Sequence, residues 1–270
     1  MNKSIALLEL ADIELLQLLQ PAEWNDVRPV FRSHLGQPYF HAIKVMLDAE
    51  LAGVAELFLN GDSAWLGNII VRSDLQRKGI GKYMTEYLIQ IAQNQDKKLQ
   101  FLLATQEGKG LYAKLGFECE SEYHFLRKAP NIVSMGFADE RIVLNNHQCN
   151  QQILALDALA TGEDRSAILQ RFLFEAWVFK IADEAEGFYI PRLGDGVIIA
   201  KNEVAGLSLL QFRAQHDHNM VVIPQENFPA YNFLQQQGYE MYRRAALMRL
   251  GPMKAWNPHM IYSRIGGYLG

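Results

Sequence analysis

Cysteine is nearly missing from this chain: Cys119 and Cys149 are the two it has in 270 residues. Two isolated thiols make no disulfide framework and lack the paired spacing of a zinc site, so a cytoplasmic location and no bound metal are expected. Long apolar runs are missing too. No stretch approaches the ~20 residues needed to cross a bilayer. Glu9, Asp12 and Glu14 interrupt the apolar N-terminus, which has no small-residue cleavage site. Neither a signal peptide nor a membrane partner is expected. Charge of one sign does not accumulate either: 26 Lys plus Arg stand against 30 Asp plus Glu, a formal net of -4. Without a basic stripe, nucleic acid is disfavoured as a partner.

Apolar material, by contrast, is ample. With 49 % apolar and 11 % aromatic residues the sequence can bury a core, and at about 150 residues per domain its length suggests two domains. Residues 10–35 show helical apolar spacing broken at Pro21 and near Pro29, the pattern of two short helices. Three apolar runs, 41–48, 51–59 and 64–71, are separated by Asp-Ala-Glu and Asn-Gly-Asp turns and predict an antiparallel meander. A polar loop then leads into a helix over 82–93, with Tyr83, Tyr87, Leu88 and Ile91 at helical intervals. A strand over 99–104, a short helix over 110–115 stopped by Gly116, and a strand over 117–126 follow. Periodicity lapses around 129–139, which places a boundary between 1–130 and 131–270. Beyond it helices over 151–160 and 164–174, strands over 177–182, 187–191 and 196–200, a helix over 203–213, a strand over 220–223, a helix over 229–237 and a strand over 239–249 repeat the order of the first half.

The most informative segment is Gln76-Arg77-Lys78-Gly79-Ile80-Gly81-Lys82, which joins a strand to a helix. Backbone N–H groups at a helix start lack internal partners and carry the positive end of the dipole, so a pyrophosphate can accept from them. Gly79 and Gly81 allow close approach and positive φ, while Arg77, Lys78 and Lys82 add charge. A plain connection with incidental glycines is the alternative. No Gly-x-x-x-x-Gly-Lys-Ser/Thr occurs, and Met84 stands where a dinucleotide fingerprint needs its third glycine, so ATP and NAD are disfavoured.

Together with Tyr112-Ala-Lys-Leu-Gly116-Phe117, this loop resembles the GNAT N-acetyltransferase superfamily, whose Gln/Arg-x-x-Gly-x-Gly/Ala loop binds the pyrophosphate of acetyl-CoA. The resemblance implies an α+β fold and an N-acetyltransferase moving acetyl from acetyl-CoA to a primary amine of a small molecule or peptide. It implies a fourth strand that splays near Ile69 to Val71, freeing N–H groups for the acetyl oxygen, assigned to Ile69, and for the pantetheine. Gln76, Arg77, Lys78, Gly79, Ile80, Gly81 and Lys82 would hold the pyrophosphate. Tyr112 would protonate the departing thiolate, since a phenol stays protonated at neutral pH; a core tyrosine is the alternative. Thr105 stands where many members carry a cofactor-contacting Asn. Glu56 is the candidate general base, either facing the cleft or solvated on an outer face, with a water relay as the other route. A non-catalytic CoA-responsive module is the competing function.

The second half resembles the C-terminal domain of YitH/HsaT-like tandem GNAT proteins, through Leu156-Asp157-Ala158, Gly162-Glu-Asp164-Arg165 and 227–239. The expected architecture is two tandem GNAT-type domains, each a mixed, mostly antiparallel sheet flanked by helices, the second degenerate. Aligning Gly116-Phe117 with Gly238-Tyr239 sets Leu234 opposite Tyr112 and Asn227 opposite Thr105, and the second copy lacks the length of the pyrophosphate loop. One CoA site, in 1–130, is therefore expected, with 131–270 walling the acceptor cleft. Asp164 and Arg165 are expected to pair at a helix start. His216-Asp217-His218 reads as a solvated turn rather than a metal site. The 262–270 tail is left as either a sheet-closing segment or a mobile end, and the chain as a monomer or homodimer.

Overall fold

A computed structural model describes residues 3–21, 24–129, 137–215 and 219–270. An edge strand, β1 (Lys3–Leu7), precedes a 3-10 segment over Leu10–Leu18 and α1 (Arg28–His34). β1 was not anticipated. Pro29 lies at the start of α1 rather than breaking it, where its missing N–H is not needed. The meander follows as β2 (Phe40–Leu47), β3 (Glu50–Asn60) and β4 (Ser63–Val71), all antiparallel. Asp48 and Ala49, at φ 48° and 69°, form the tight turn between β2 and β3. Then come α2 (Ile80–Asn94), β5 (Leu99–Ala104), α3 (Gln106–Lys114) and β6 (Glu118–Lys128). The buried stripe of α2 is Ile80, Met84, Leu88 and Ala92 at four-residue spacing. Tyr87, expected on that stripe, is exposed.

The second half runs β7 (Ile142–Leu144), α4 (Asn150–Thr161), α5 (Ser166–Leu169), β8 (Trp177–Ile181), β9 (Glu184–Ile190), β10 (Val197–Ala200), α6 (Glu203–Arg213), β11 (Met220–Pro224), α7 (Phe228–Gln236), β12 (Tyr239–Leu250) and β13 (Ile261–Ser263). The helix expected over 164–174 shrinks to α5 and a 3-10 turn at Leu173–Glu175. The boundary near 130/131 and the His216-Asp217-His218 turn fall outside the described residues.

Among the described residues two sheets result, eight strands in the order β1-β2-β3-β4-β5-β12-β6-β11 and five in the order β13-β10-β9-β8-β7. The halves exchange strands. β12 pairs antiparallel with both β5 and β6, and β6 pairs with both β12 and β11. Matching β5 with β11 and β6 with β12 maps the run β5-β12-β6-β11 onto itself reversed, as expected of two copies of one unit around a pseudo-two-fold axis. One face of the larger sheet packs on α2 through Ala55, Leu57, Leu66, Leu102 and Met248. Its other face, with Val54, Phe58, Trp65, Phe101 and Leu247, shares a core with α1, α4 and the second sheet.

Glu163, in the loop after α4, ties the halves together. Its carboxylate accepts from Trp65 Nε1 at 3.0 Å, from Asn60 Nδ2 at 3.3 Å and from the Ser63 hydroxyl. Burial raises its proton affinity while those donors lower it. Removing the carboxylate leaves buried donors without partners, so Glu163→Ala should lower the unfolding free energy by about 2–3 kcal/mol, and Glu163→Gln by less. Urea titration of both variants tests this.

Arg165 pairs not with Asp164 but with Asp157, at 2.6 Å and fully buried, while Asp164 accepts from the Ser166 N–H at the start of α5. Arg165 Nη1 also donates to the carbonyls of Leu269 and Gly270, at 2.7 and 3.2 Å. The tail is thereby fastened between the halves. Its strand β13 closes the edge of β10, and the ordered segment beyond it reaches the first half.

Candidate active site

The parallel pairing of β4 with β5 covers Ser63–Trp65 opposite Leu99–Phe101 and stops there. Beyond Trp65 the β5-facing edge of β4 is open. The Arg72 N–H donates to the Ala52 carbonyl on β3 at 2.9 Å, so by alternation Ile70 faces β3 while Ile69 and Val71 turn their N–H and C=O groups to the gap. Gln76 Nε2, which approaches the Val71 carbonyl at 3.4 Å, marks the same side. Val54 pairs with Ile70 and Glu56 with Gly67, so β4 carries one residue more than β3 there. That bulge holds Asn68 at φ 43°, a left-handed conformation that Asn tolerates better than most residues.

At the open end of the gap stands the loop into α2. Arg77 has φ 61° and Gly79, the residue before the helix, φ 80°. No side chain caps α2, so its first N–H groups face outward. Nothing lies within 4 Å of a Cβ built on Gly79. Gln76, Arg77, Lys78 and Lys82 are exposed around it, and Ile80 is buried beneath it. Lys82 lies 3.6 Å from Glu86 across one helical turn. A Cβ on Gly81 would sit 3.7 Å from both Val71 on β4 and Leu111 on α3, so three elements meet there. These residues fit a pyrophosphate: uncapped amides, an uncrowded left-handed glycine and cations on one rim.

Tyr112 follows Leu111 on α3 and packs edge-on to Phe117 at 6.2 Å, on the α2 side of the sheet. Its ring lies against Gly108, where a Cβ would come within 2.9 Å of it. Burial pushes the phenol up to about 12. Thr105 caps α3, its hydroxyl accepting from the Gly108 N–H at 3.3 Å. A Thr ahead of a helical segment is a readable capping signal, and it accounts for α3 starting earlier than the expected residue 110.

Glu56 lies on the opposite face, between Val54 and Phe58 of β3. It is fully buried, which excludes the solvated outer-face alternative. Asn68 Nδ2 donates to its Oε1 at 2.6 Å, while Oε2 has no partner among the described residues. Burial pushes its pKa up to about 8 against the lowering effect of Asn68. Tyr268 covers it from the tail: a Cβ on Gly67 would lie 2.4 Å from that of Tyr268, whose ring stacks on Phe58 at 5.3 Å. Neither Asn68 nor Tyr268 was singled out in the sequence. Glu56 and Tyr112 thus stand on opposite faces of one sheet, and the gap beyond Trp65 connects those faces.

A small cavity of about 20 Å³ lies between the halves, walled by Trp65, Phe101, Tyr123 and Trp256. Its charged groups already have partners: Glu163 as above, Arg165 with Asp157, Lys254 with Asp62 at 2.6 Å and Glu120 with Arg249 at 3.1 Å.

The corresponding gap in the second half is filled. β13 pairs with β10, and the Arg264 N–H donates to Val222 of β11 at 3.1 Å. A Cβ on Gly206 of α6 would fall 2.2 Å from the Tyr262 ring. The link from β10 to α6 is Lys201 and Asn202, in place of residues 72–79 in the first half. Asn227, opposite Thr105, likewise caps its helix, accepting from the Ala230 N–H at 3.1 Å, and it donates to the His259 and Ile261 carbonyls.

Residues 8–117 match the Acetyltransferase (GNAT) family. A Bacillus subtilis (strain 168) protein described as the uncharacterized N-acetyltransferase YitH is 28% identical over 203 residues, 68% of each chain. A Pyrococcus horikoshii crystal structure, provisionally assigned as an acetyltransferase, shares the fold with a TM-score of 0.85 at 21% identity, covering 99% of this chain and 96% of that one. A tandem GNAT protein from the clavulanic acid biosynthesis pathway aligns with a TM-score of 0.61 at 13% identity, over 94% of this chain and 100% of its own. The GNAT resemblance read from the motifs is borne out, and with it the tandem α+β fold and the assignment as an acyltransferase. No helix among the described residues is long and apolar enough to cross a membrane.

Proposed function

We propose that this GNAT-type acyltransferase moves an acetyl group from acetyl-CoA directly to a primary amine of a small molecule or peptide. In this reading residues 1–130 hold the donor on the α2 face, and residues 131–270 wall the acceptor on the other. The observation that carries it is the gap in the sheet, with an anion cradle at its mouth, free N–H groups along one edge, a phenol on one face and a carboxylate on the other.

Acetyl-CoA, when bound, supplies an activated acyl thioester. The uncapped amides of α2, with Gln76, Arg77, Lys78 and Lys82, hold the diphosphate. Val71 offers its outward backbone groups to the pantetheine, and Ile69 N–H donates to the acyl oxygen where negative charge grows. Tyr112 keeps its proton far above neutral pH and donates it as a hydrogen bond to the leaving sulfur. Oε2 of Glu56, without a protein partner, takes the proton that the amine sheds, directly or through one water. Thr105 shapes the start of α3, and its hydroxyl, which accepts from the Gly108 N–H, keeps its own proton to offer the cofactor.

Tyr112→Phe should lower turnover by roughly 10–100-fold, at the lower end of acid–base effects, with acetyl-CoA affinity by calorimetry nearly unchanged. Equal turnover would remove the phenol from the mechanism. Thiol release from acetyl-CoA against amines, amino acids, polyamines and peptides tests the reaction itself. Silence across that panel with intact CoA binding would favour the non-catalytic module.

A further inference from the structure

We infer that Asn68 is a positioning residue for Glu56, so that one bulge residue sets both the amide presented to the acyl oxygen and the carboxylate that accepts the amine proton. This rests on the reading of Glu56 as the base. The bulge at Asn68 precedes the outward N–H of Ile69, and the same residue sends Nδ2 to Glu56 Oε1 at 2.6 Å. That is the carboxylate's single tether among the described residues, because Oε2 has no partner. A single tether on one oxygen fixes the plane of the carboxyl group and leaves the second oxygen to the incoming proton. Gly67 keeps the space clear, since a Cβ there would stand 3.1 Å from Oε1. Asn68 holds φ 43° in doing this, a backbone conformation that glycine adopts without penalty.

Few other groups compete for that role. From the tail, Tyr268 packs over Gly67 beside Glu56, and burial, with Asp195 and Glu56 nearby, raises the pKa of its phenol, which stays neutral while the carboxyl titrates. On β2, Lys44 is taken up by Asp12 at 2.6 Å. Among the described residues, the amide of Asn68 is the influence that favours the charged form against burial.

Asn68→Gly keeps the positive φ and deletes the amide, which makes it the informative variant. The Glu56 carboxyl carbon, assigned by its loss in Glu56→Gln, is titrated by ¹³C NMR in the free protein without CoA. Loss of a hydrogen bond to a charged group should move that titration up by about one pH unit, and Asn68→Asp should move it further by adding a like charge. The rising limb of the pH–rate profile should shift by the same amount. An unmoved titration in Asn68→Gly overturns the inference. A moved titration with an unmoved rate limb keeps the tether but overturns Glu56 as the base, and with it any catalytic role for Asn68.

Discussion

Glu56→Gln is expected to lower acetyl-transfer turnover by about 10²–10³-fold, the span a positioned general base supplies, while leaving acetyl-CoA affinity unchanged. The cradle at α2 and the carboxylate lie on different faces of the sheet, which is why the two quantities separate. The same variant should be the more stable protein. Burial pushes the folded pKa of Glu56 up to about 8, well above the ordinary carboxylate range. A carboxyl group raised in this way costs nothing below its unfolded pKa. Its cost grows as pH rises from there to about 8 and is constant beyond. At roughly 1.4 kcal/mol per pH unit, the wild-type penalty at neutral pH is on the order of 3 kcal/mol. Thermal unfolding of the two proteins should therefore coincide near pH 4 and diverge toward pH 8, with Glu56→Gln melting higher. In the wild type, turnover should climb with pH and level off above about 8, the ionisation of Glu56. A variant that turns over normally would show that this carboxylate is not the base, and a pair whose melting curves never diverge would show that burial does not raise its pKa.

Gly79→Val should abolish detectable acetyl-CoA binding, a loss of at least ~100-fold in affinity, because a branched side chain would fill the uncrowded space over Gly79 beside the α2 amides. Gly79 stands at φ 80°, so the substitution also strains the backbone by about 1–3 kcal/mol. Gly36, at φ 84° and equally open, provides the control. Gly36→Val should lose similar stability yet bind acetyl-CoA as the wild type does. If calorimetry shows binding intact in Gly79→Val, the diphosphate sits elsewhere.

Strand and helix positions were legible because burial imposes short periods. The meander, α2, β5 and the repeat of the first half's order in the second follow from alternation, from four-residue stripes and from glycine turns at 79, 116 and 238. The anion loop was legible for the same local reason, since its residues are contiguous. What could not be read is set by contacts between distant positions. β6 and β12 are both long, mixed strands, and nothing within either says that β12 lies between β5 and β6. Glu56 could be named as a carboxylate on an apolar strand, but its burial depends on Tyr268, more than two hundred residues later. Asp164 was an apparent partner for Arg165 by adjacency alone. The buried pair instead forms with Asp157, eight residues back in α4, where a charge without a partner would be far costlier.

The interleaving of β12 between β5 and β6 constrains how the protein can be made. As the chain leaves the ribosome, the first 128 residues include both flanking strands but not the one that joins them, and their hydrogen-bonding edges stay bare until Leu250 has emerged. The half that carries the anion loop therefore cannot finish its sheet co-translationally ahead of the other, and exposed nascent edges are natural clients for chaperones.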